Sequence, residues 1–299
     1  MRILISGSHG LIGSALVPRL AANGDQVIRL VRQPPADATA VAWDPGTGSL
    51  DPASLEGFDA VINLAGEGIG DHRWSAAHKR RVLESRVQAT TLLASALTTL
   101  RHRPTVLLSA SAVGFYGDRG DQPVSEADRP GTDFLADVCR QWEAACEPAS
   151  QAGVRTVLLR SGVVLSPRGG ALRKQLPLFR AGLGGKLGSG RQYMSWISID
   201  DEVAAIQMAL TDADLDGPVN LTAPNPVTNA DFTTTLARVL HRPAVARVPR
   251  AALAVVFGGQ MADEMLLASA RVFPRRLEAA GFAFSHPELP VALSLLLRP

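Results

Sequence analysis

Arg2-Ile3-Leu4-Ile5-Ser6 runs directly into Gly7-Ser8-His9-Gly10-Leu11-Ile12-Gly13, and the reading of this stretch decides the fold. The first five residues form a short apolar strand. From Leu11 to Ala22, residues Leu11, Ile12, Leu16, Val17 and Leu20 share one stripe of a helix, which Asn23-Gly24-Asp25 ends. The turn between strand and helix has the spacing G-x-x-G-x-x-G. It puts a helix N-terminus, with its free N–H groups and favourable dipole, where an anion can approach. A Cβ at Gly7 or Gly10 would block the tight turn or that approach, and Gly13 lets the helix pack closely on the sheet. Three glycines alone say little; between a strand and an amphipathic helix they point to a pyrophosphate held by Gly7, Ser8, His9, Gly10, Leu11, Ile12 and Gly13. The alternative is a glycine-rich turn that binds nothing.

Outward from this turn the chain alternates between strands and helices. Gln26 to Val31, Val41 to Trp43, Ala60 to Leu64, Thr105 to Ser109 and Thr156 to Arg160 read as strands. Residues 75–100 and 132–151 read as helices between them. The predicted fold class is α/β, a Rossmann doubly wound parallel sheet with right-handed crossovers. After residue 162 the texture changes. Residues 166–190 are rich in Gly, Pro and Arg and hold one short helix at most. Asp200 to Leu210 reads as a helix with Asp200 and Asp201 as its caps, and Val219 to Leu221 as a strand. Thr228 with Asp231 makes a capping box for a helix to Leu240. Residues 241–299 read as mostly helical. The expected organisation is a nucleotide-binding domain over 1–165, to which 196–240 return in part, and a smaller substrate lobe built from 166–195 and 241–299.

Composition narrows the function classes. The 299 residues are 46% apolar and 19% charged, as in a globular protein, and the net charge of +2 lacks the basic footprint of a nucleic-acid binder. Cys139 and Cys146 fall seven residues apart on one predicted helix, about 10 Å at a rise of 1.5 Å per residue, too far for a disulfide. The six histidines show no metal-ligand spacing. No leader and no membrane-spanning run is visible. The expectation is a cytoplasmic protein with a small-molecule substrate, without a metal, a membrane or a nucleic acid as partner.

The end of the second strand selects the dinucleotide. Proteins that take NAD place an acid there for the ribose 2′-OH. Here the chain reads Ile28-Arg29-Leu30-Val31-Arg32-Gln33. An acid would repel a 2′-phosphate by about 4 kcal/mol at 4 Å and an effective dielectric of 20. Arg32 can bind one through its planar fork. Val31 and Arg32 therefore join the cofactor site, and the expected cofactor is NADP(H). A solvated strand-end charge is the plainer reading of Arg32.

Further stretches carry a family likeness: Asn63-Leu64-Ala65-Gly66; Ser109-Ala110-Ser111 before Phe115-Tyr116-Gly117; Arg160-Ser161-Gly162-Val163-Val164-Leu165; and Trp196-Ile197-Ser198-Ile199-Asp200-Asp201. With Trp74, Lys79, Ser85-Arg86 and the C-terminal runs Glu264 to Leu267, Pro274 to Arg276 and Ala280 to Phe282, the chain resembles the extended short-chain dehydrogenase/reductase superfamily. Within it the likeness is to the nucleoside-diphosphate-sugar epimerase-like branch, which has a small C-terminal domain. The resemblance implies that Leu64 and Ala65 lie against the adenosine half and ribose of the cofactor, with Gly66 and Glu67 also in the cofactor site, Arg86 on the helix behind the nicotinamide, Ser109 beside it and Val163 near its amide. Arg86 stands where active members usually carry Asn, and would need the cofactor phosphates or the Glu67 carboxylate as its anion. The resemblance also implies a nucleotide sugar as a candidate substrate, with Arg168, Arg173, Lys186 and Arg191 as candidates to meet its diphosphate.

The superfamily's proton chemistry uses a Tyr with a Lys four residues later, which draws the phenol's pKa towards neutrality. Four residues after Tyr116 and Tyr193 come Gly120 and Ile197. With Glu143 as register mark, Leu135 and Cys139 stand at the Tyr and Lys positions. Ser109, Ser111 and Tyr116 remain as candidate catalytic residues. Two readings follow: an NADP(H)-dependent oxidoreductase or nucleotide-sugar epimerase with atypical acid/base groups, or a non-catalytic NADP(H)-binding sensor or scaffold.

Overall fold

In the computed structural model, Arg2–Ser6 (β1) lies between Gln26–Val31 (β2) and Ala60–Asn63 (β4), parallel to both, with Ile3 opposite Val27 on one side and Ala60 on the other. Residues 1–33 and 38–298 are described. Ala40–Ala42 (β3), Val106–Ala112 (β5), Arg155–Ser161 (β6) and Gly217–Leu221 (β7) complete a seven-stranded parallel sheet in the order β7-β6-β5-β4-β1-β2-β3. Ile3, Leu4, Ile5, Val61 and Ile62 have no exposure, as expected of parallel strands covered on both faces. The chain leaves β1 towards β2 and β3, then returns to the other side as β4. That reversal places the carboxyl ends of β1 and β4 at the topological switch point, where such sheets open a crevice.

The chain forms two compact units. The first holds residues 1–111, 138–159 and 203–219; the second holds 112–137, 160–202 and 220–299. In the first, Leu11–Ala22 (α1) and Ala76–Thr98 (α2) follow β1 and β4. Ser75 starts α2 by accepting the His78 N–H at 3.1 Å. Leu4, Leu30, Trp43, Val61, Leu93 and Leu97 belong to its core.

The helix predicted over 132–151 is two helices, Phe134–Ala144 (α3) and Glu147–Gln151 (α4). Pro148 is the reason. It has no N–H to bond the preceding turn, and it fits at the start of a helix, where that donor is orphaned in any case.

The second unit contains Gly170–Arg180 (α5), the start of Ile199–Thr211 (α6), Asn229–Val239 (α7) and Arg250–Phe257 (α8). The Thr228–Asp231 capping box predicted for α7 is present. At α6 the expected capping is corrected. Ser198 Oγ accepts the Asp201 N–H, while the Asp201 carboxylate accepts the backbone N–H groups of Ser285 and His286 at 2.8 and 2.9 Å. Leu165, Leu172, Phe179, Trp196, Phe232 and Leu293 form part of this unit's own core. Short strand pairs, such as Val163–Leu165 with Trp196–Ser198, join its segments.

Candidate functional site

In the first unit the glycine turn has the predicted geometry. Gly7 adopts φ +68°, and a Cβ there would fall 2.5 Å from the Leu64 carbonyl oxygen. A Cβ on Gly13 would collide with the Gly7 carbonyl. These two glycines are therefore required by the protein's own packing. Gly10 differs, because the closest atom to its added Cβ is the Gly7 oxygen at 3.3 Å. It is the N-cap of α1 and makes no side-chain capping bond, so no side chain occupies the anion position at the first turn, Leu11-Ile12-Gly13. This cradle fits a pyrophosphate. Arg32 is exposed at the end of β2, and Ser8 Oγ lies 3.3 Å from His9 Nδ1.

A buried polar chain fixes the strand ends around the turn. Ser6 Oγ donates to Asn63 Oδ1 at 2.7 Å and accepts from the N–H groups of Leu64 and Ala65. Asn63 Nδ2 donates to Thr90 Oγ1 at 2.8 Å, and Trp142 Nε1 donates to the same oxygen at 3.0 Å. Each such bond is worth about 1 kcal/mol net, and more if one partner is lost and the other left buried. Sequence reasoning missed these residues. Polar Ser6 and Asn63 ending two otherwise apolar strands were the available signal.

Arg86 is 7% exposed. Of the two anions expected for it, the cofactor phosphates or the Glu67 carboxylate, the latter accepts no hydrogen bond from it among the described residues. Arg86 Nη1 donates to the carbonyls of Glu67 and Val82, its guanidinium lies 5.0 Å from the Trp142 ring, and Nε has no hydrogen-bond partner among the described residues. Gly66 makes room for it, since a Cβ there would press on the guanidinium at 3.1 Å. Burial lowers the Arg86 pKa, opposed by Cys139 and Glu67. The Glu67 carboxylate accepts instead from Arg81 at 3.1 Å, which holds its pKa below the usual range.

Ser109 and Ser111 share one face of β5. Ser111 Oγ donates to Glu143 Oε1 at 2.6 Å. Ser109 is fully buried, and its hydroxyl eases the Cys146 thiol, which burial pushes up to about 11.

In the second unit Tyr116 has no exposure. Its hydroxyl donates to Asn220 Oδ1 at 2.7 Å and accepts from Arg160 Nη1 at 3.0 Å. Gly120, four residues on, supplies no cation, but Arg160 does. Burial outweighs it and pushes the pKa up to about 12. Arg160 also stacks 3.5 Å from the Phe115 ring. Glu202 is buried without exposure; Ser161 Oγ donates to it at 2.6 Å, and burial pushes its carboxyl up to about 8.

The second unit also encloses a cavity of about 250 Å³. Val163 and Leu135 both line it. Arg168, Arg173, Lys186 and Arg191 are not among its lining residues; Tyr193 is. Among the described residues no group of side chains is arranged to hold a metal ion, and no helix is long and apolar enough to cross a membrane.

The chain is similar to several known proteins. The model of the NAD dependent epimerase/dehydratase family matches residues 3–221, and a domain of unknown function, DUF1731, matches residues 248–296. An epimerase family protein of Mycobacterium tuberculosis is 49% identical over 291 residues, covering 97% of this chain and 96% of that protein. The crystal structure of human epimerase family protein SDR39U1 (isoform 2) with NADPH superposes with a TM-score of 0.90 at 36% identity, covering 99% of each chain. A structure described as the nucleoside-diphosphate sugar epimerase of Corynebacterium glutamicum has a TM-score of 0.83 at 39% identity, covering 99% of this chain and 58% of that one. With a family model matching residues 3–221 and relatives similar over nearly its whole length, the chain belongs to the NAD dependent epimerase/dehydratase family.

Proposed function

We propose that the chain binds NADP(H) at the turn of its first unit and works as an NADP(H)-dependent oxidoreductase without the Tyr-x-x-x-Lys pair. One observation carries this reading: the uncapped start of α1 behind Gly7, Gly10 and Gly13, with Arg32 where an NAD protein keeps an acid. The NADPH bound to the human relative supports it. The N–H groups of Leu11, Ile12 and Gly13, with Ser8 and His9 beside them, hold the pyrophosphate. Val31 and Arg32 take the adenosine end and its 2′-phosphate, and Leu64 to Glu67 form the apolar and backbone wall alongside. Arg86, behind Gly66, adds positive field from a site that lacks a directly bonded carboxylate. The bound nicotinamide supplies the hydride chemistry.

Tyr116 holds the fold rather than the proton. Its hydroxyl is spent on Asn220 and Arg160, and a phenol near 12 transfers protons poorly at neutral pH. Ser111, engaged with Glu143, is the better candidate to meet a substrate oxygen. The test is NADPH oxidation followed by absorbance over a broad panel of carbonyls and nucleotide sugars. Turnover that Ser111→Ala abolishes and Tyr116→Phe spares supports the reading; turnover lost with Tyr116→Phe, in a protein that stays folded, contradicts the role given to Tyr116.

Leu135 and Cys139 at the Tyr and Lys positions favour a second reading, a non-catalytic NADP(H) sensor. Tight NADPH binding without turnover on any member of the panel would establish it in place of the first.

A further inference from the structure

The cavity of the second unit has a chemical character of its own. Its walls are largely apolar, with Val113, Leu135, Met194, Phe232, Met265 and Leu266 among them. One wall is the π-helical turn Ala262–Leu267, a rare backbone form found frequently at functional sites.

Most polar groups in the lining are already committed. Gln192 Nε2 donates to the carbonyls of Leu187 and Leu266, and Asn229 Oδ1 accepts the Leu187 N–H. Ser195 Oγ donates to the Ala270 carbonyl. Asp133 accepts from the Ala136 N–H, and Glu264 from the Phe134 N–H and Gln260. Two groups stand apart. Tyr193 and Gln175 line the cavity, and neither the Tyr193 hydroxyl nor the Gln175 side-chain amide has a hydrogen-bond partner among the described residues.

The charge in the lining has one sign. Asp133 and Glu264 contribute carboxylates, and no Lys, Arg or His lines the space. Arg271 stacks 5.1 Å from the Tyr193 ring but is not a lining residue. A diphosphate entering here would meet like charge without a cation, in surroundings that screen poorly. The volume, about 250 Å³, is also below the roughly 300–1,000 Å³ of sites for larger ligands.

We infer that this cavity binds a small, uncharged, largely apolar molecule with one carbonyl or hydroxyl oxygen, oriented by the Tyr193 hydroxyl and the Gln175 amide, and that it rejects nucleoside diphosphates. As a substrate of the oxidoreductase proposed above, such a molecule depends on that reading; as a ligand of the cavity it does not.

The test is NMR of the full chain labelled with ¹³C at the methionine methyls. Met194 and Met265 line the cavity, and Met208, in the first unit, is the control. Cyclohexanone and benzaldehyde are the uncharged probes; UMP and UDP-glucose are the anionic ones. The uncharged probes are expected to shift the Met194 and Met265 methyls saturably and leave Met208 in place, while the anions shift neither at the same concentrations. Leu135→Trp, which fills the space, is expected to abolish the shifts. Should that variant fail to fold, Gln175→Leu combined with Tyr193→Phe is expected to weaken the uncharged probes at least tenfold. Asp133→Asn with Glu264→Gln removes both charges, keeps one accepting oxygen on each side chain, and is expected to admit UMP. No saturable shift with either uncharged probe, or UDP-glucose shifting the same methyls at lower concentration, overturns the inference. NADPH fluorescence on the same samples separates the two readings. Probe binding without NADPH binding sinks the cofactor assignment alone, and NADPH binding without probe binding sinks the cavity ligand alone.

Discussion

The glycine turn of the first unit and the cavity of the second are built in opposite ways. The turn comes from one continuous stretch, Gly7 to Gly13, and presents backbone groups, so its chemistry is fixed by where side chains are absent. The cavity draws on three separate segments, within 112–137, 160–202 and 220–299, and its character comes from side chains. A change at Leu135 or Tyr193 therefore alters the cavity and leaves the turn's backbone untouched. The predictions below probe where each kind of site is vulnerable.

The largest effect is expected from pH in the second unit. The buried Glu202 carboxyl sits near 8 in the folded chain and near its ordinary 4.5 when unfolded. Between those values the folded chain holds a proton that the unfolded chain has released. Stability therefore falls as pH rises from 5 to 8, by up to about 1.4 kcal/mol per pH unit. Urea unfolding at several pH values should show this slope, and Glu202→Gln should flatten it. Equal slopes in the two proteins would contradict the buried neutral carboxyl.

Next comes the turn itself. Gly13→Ala drives a Cβ into the Gly7 carbonyl and should cost about 3 kcal/mol in urea unfolding, with NADPH binding lost. Gly10→Ala, with its nearest contact at 3.3 Å, should leave stability close to wild type and still weaken NADPH. If both variants lose stability equally, Gly10 serves packing and not the ligand.

A smaller effect is expected at Tyr116. Tyr116→Phe leaves Asn220 Oδ1 and Arg160 Nη1 without the hydroxyl and should cost about 1–2 kcal/mol. A stability equal to wild type would mean that the two partners find each other or water instead.

What could be read from the sequence follows the same division. The strand, turn and helix at residues 2–22 are local, and the parallel sheet follows from repeating that unit. The Thr228–Asp231 box was equally legible, because capping is decided within four residues. The break at Pro148 was readable in principle, but the apolar periodicity on both sides concealed it. Tyr116 was not legible. Its partners Asn220 and Arg160 lie 104 and 44 residues away, and the sequence does not show that they converge on its hydroxyl. Arg86 was half legible. Its burial and need for a partner were expected, but backbone carbonyls and the Trp142 ring take the place of a carboxylate. The cavity lining, assembled from side chains far apart in sequence, left no local signature.

The central claim is that the first unit takes NADP(H) through its turn and through Arg32. The most direct measurement is the dissociation constant of NADPH and of NADH, by nicotinamide fluorescence, for the wild-type chain and for Arg32→Ala. Loss of a charge-assisted contact worth about 1.5–3 kcal/mol should weaken NADPH by roughly 10- to 100-fold and change NADH little. A wild-type preference for NADH, or equal weakening of both by Arg32→Ala, would contradict it.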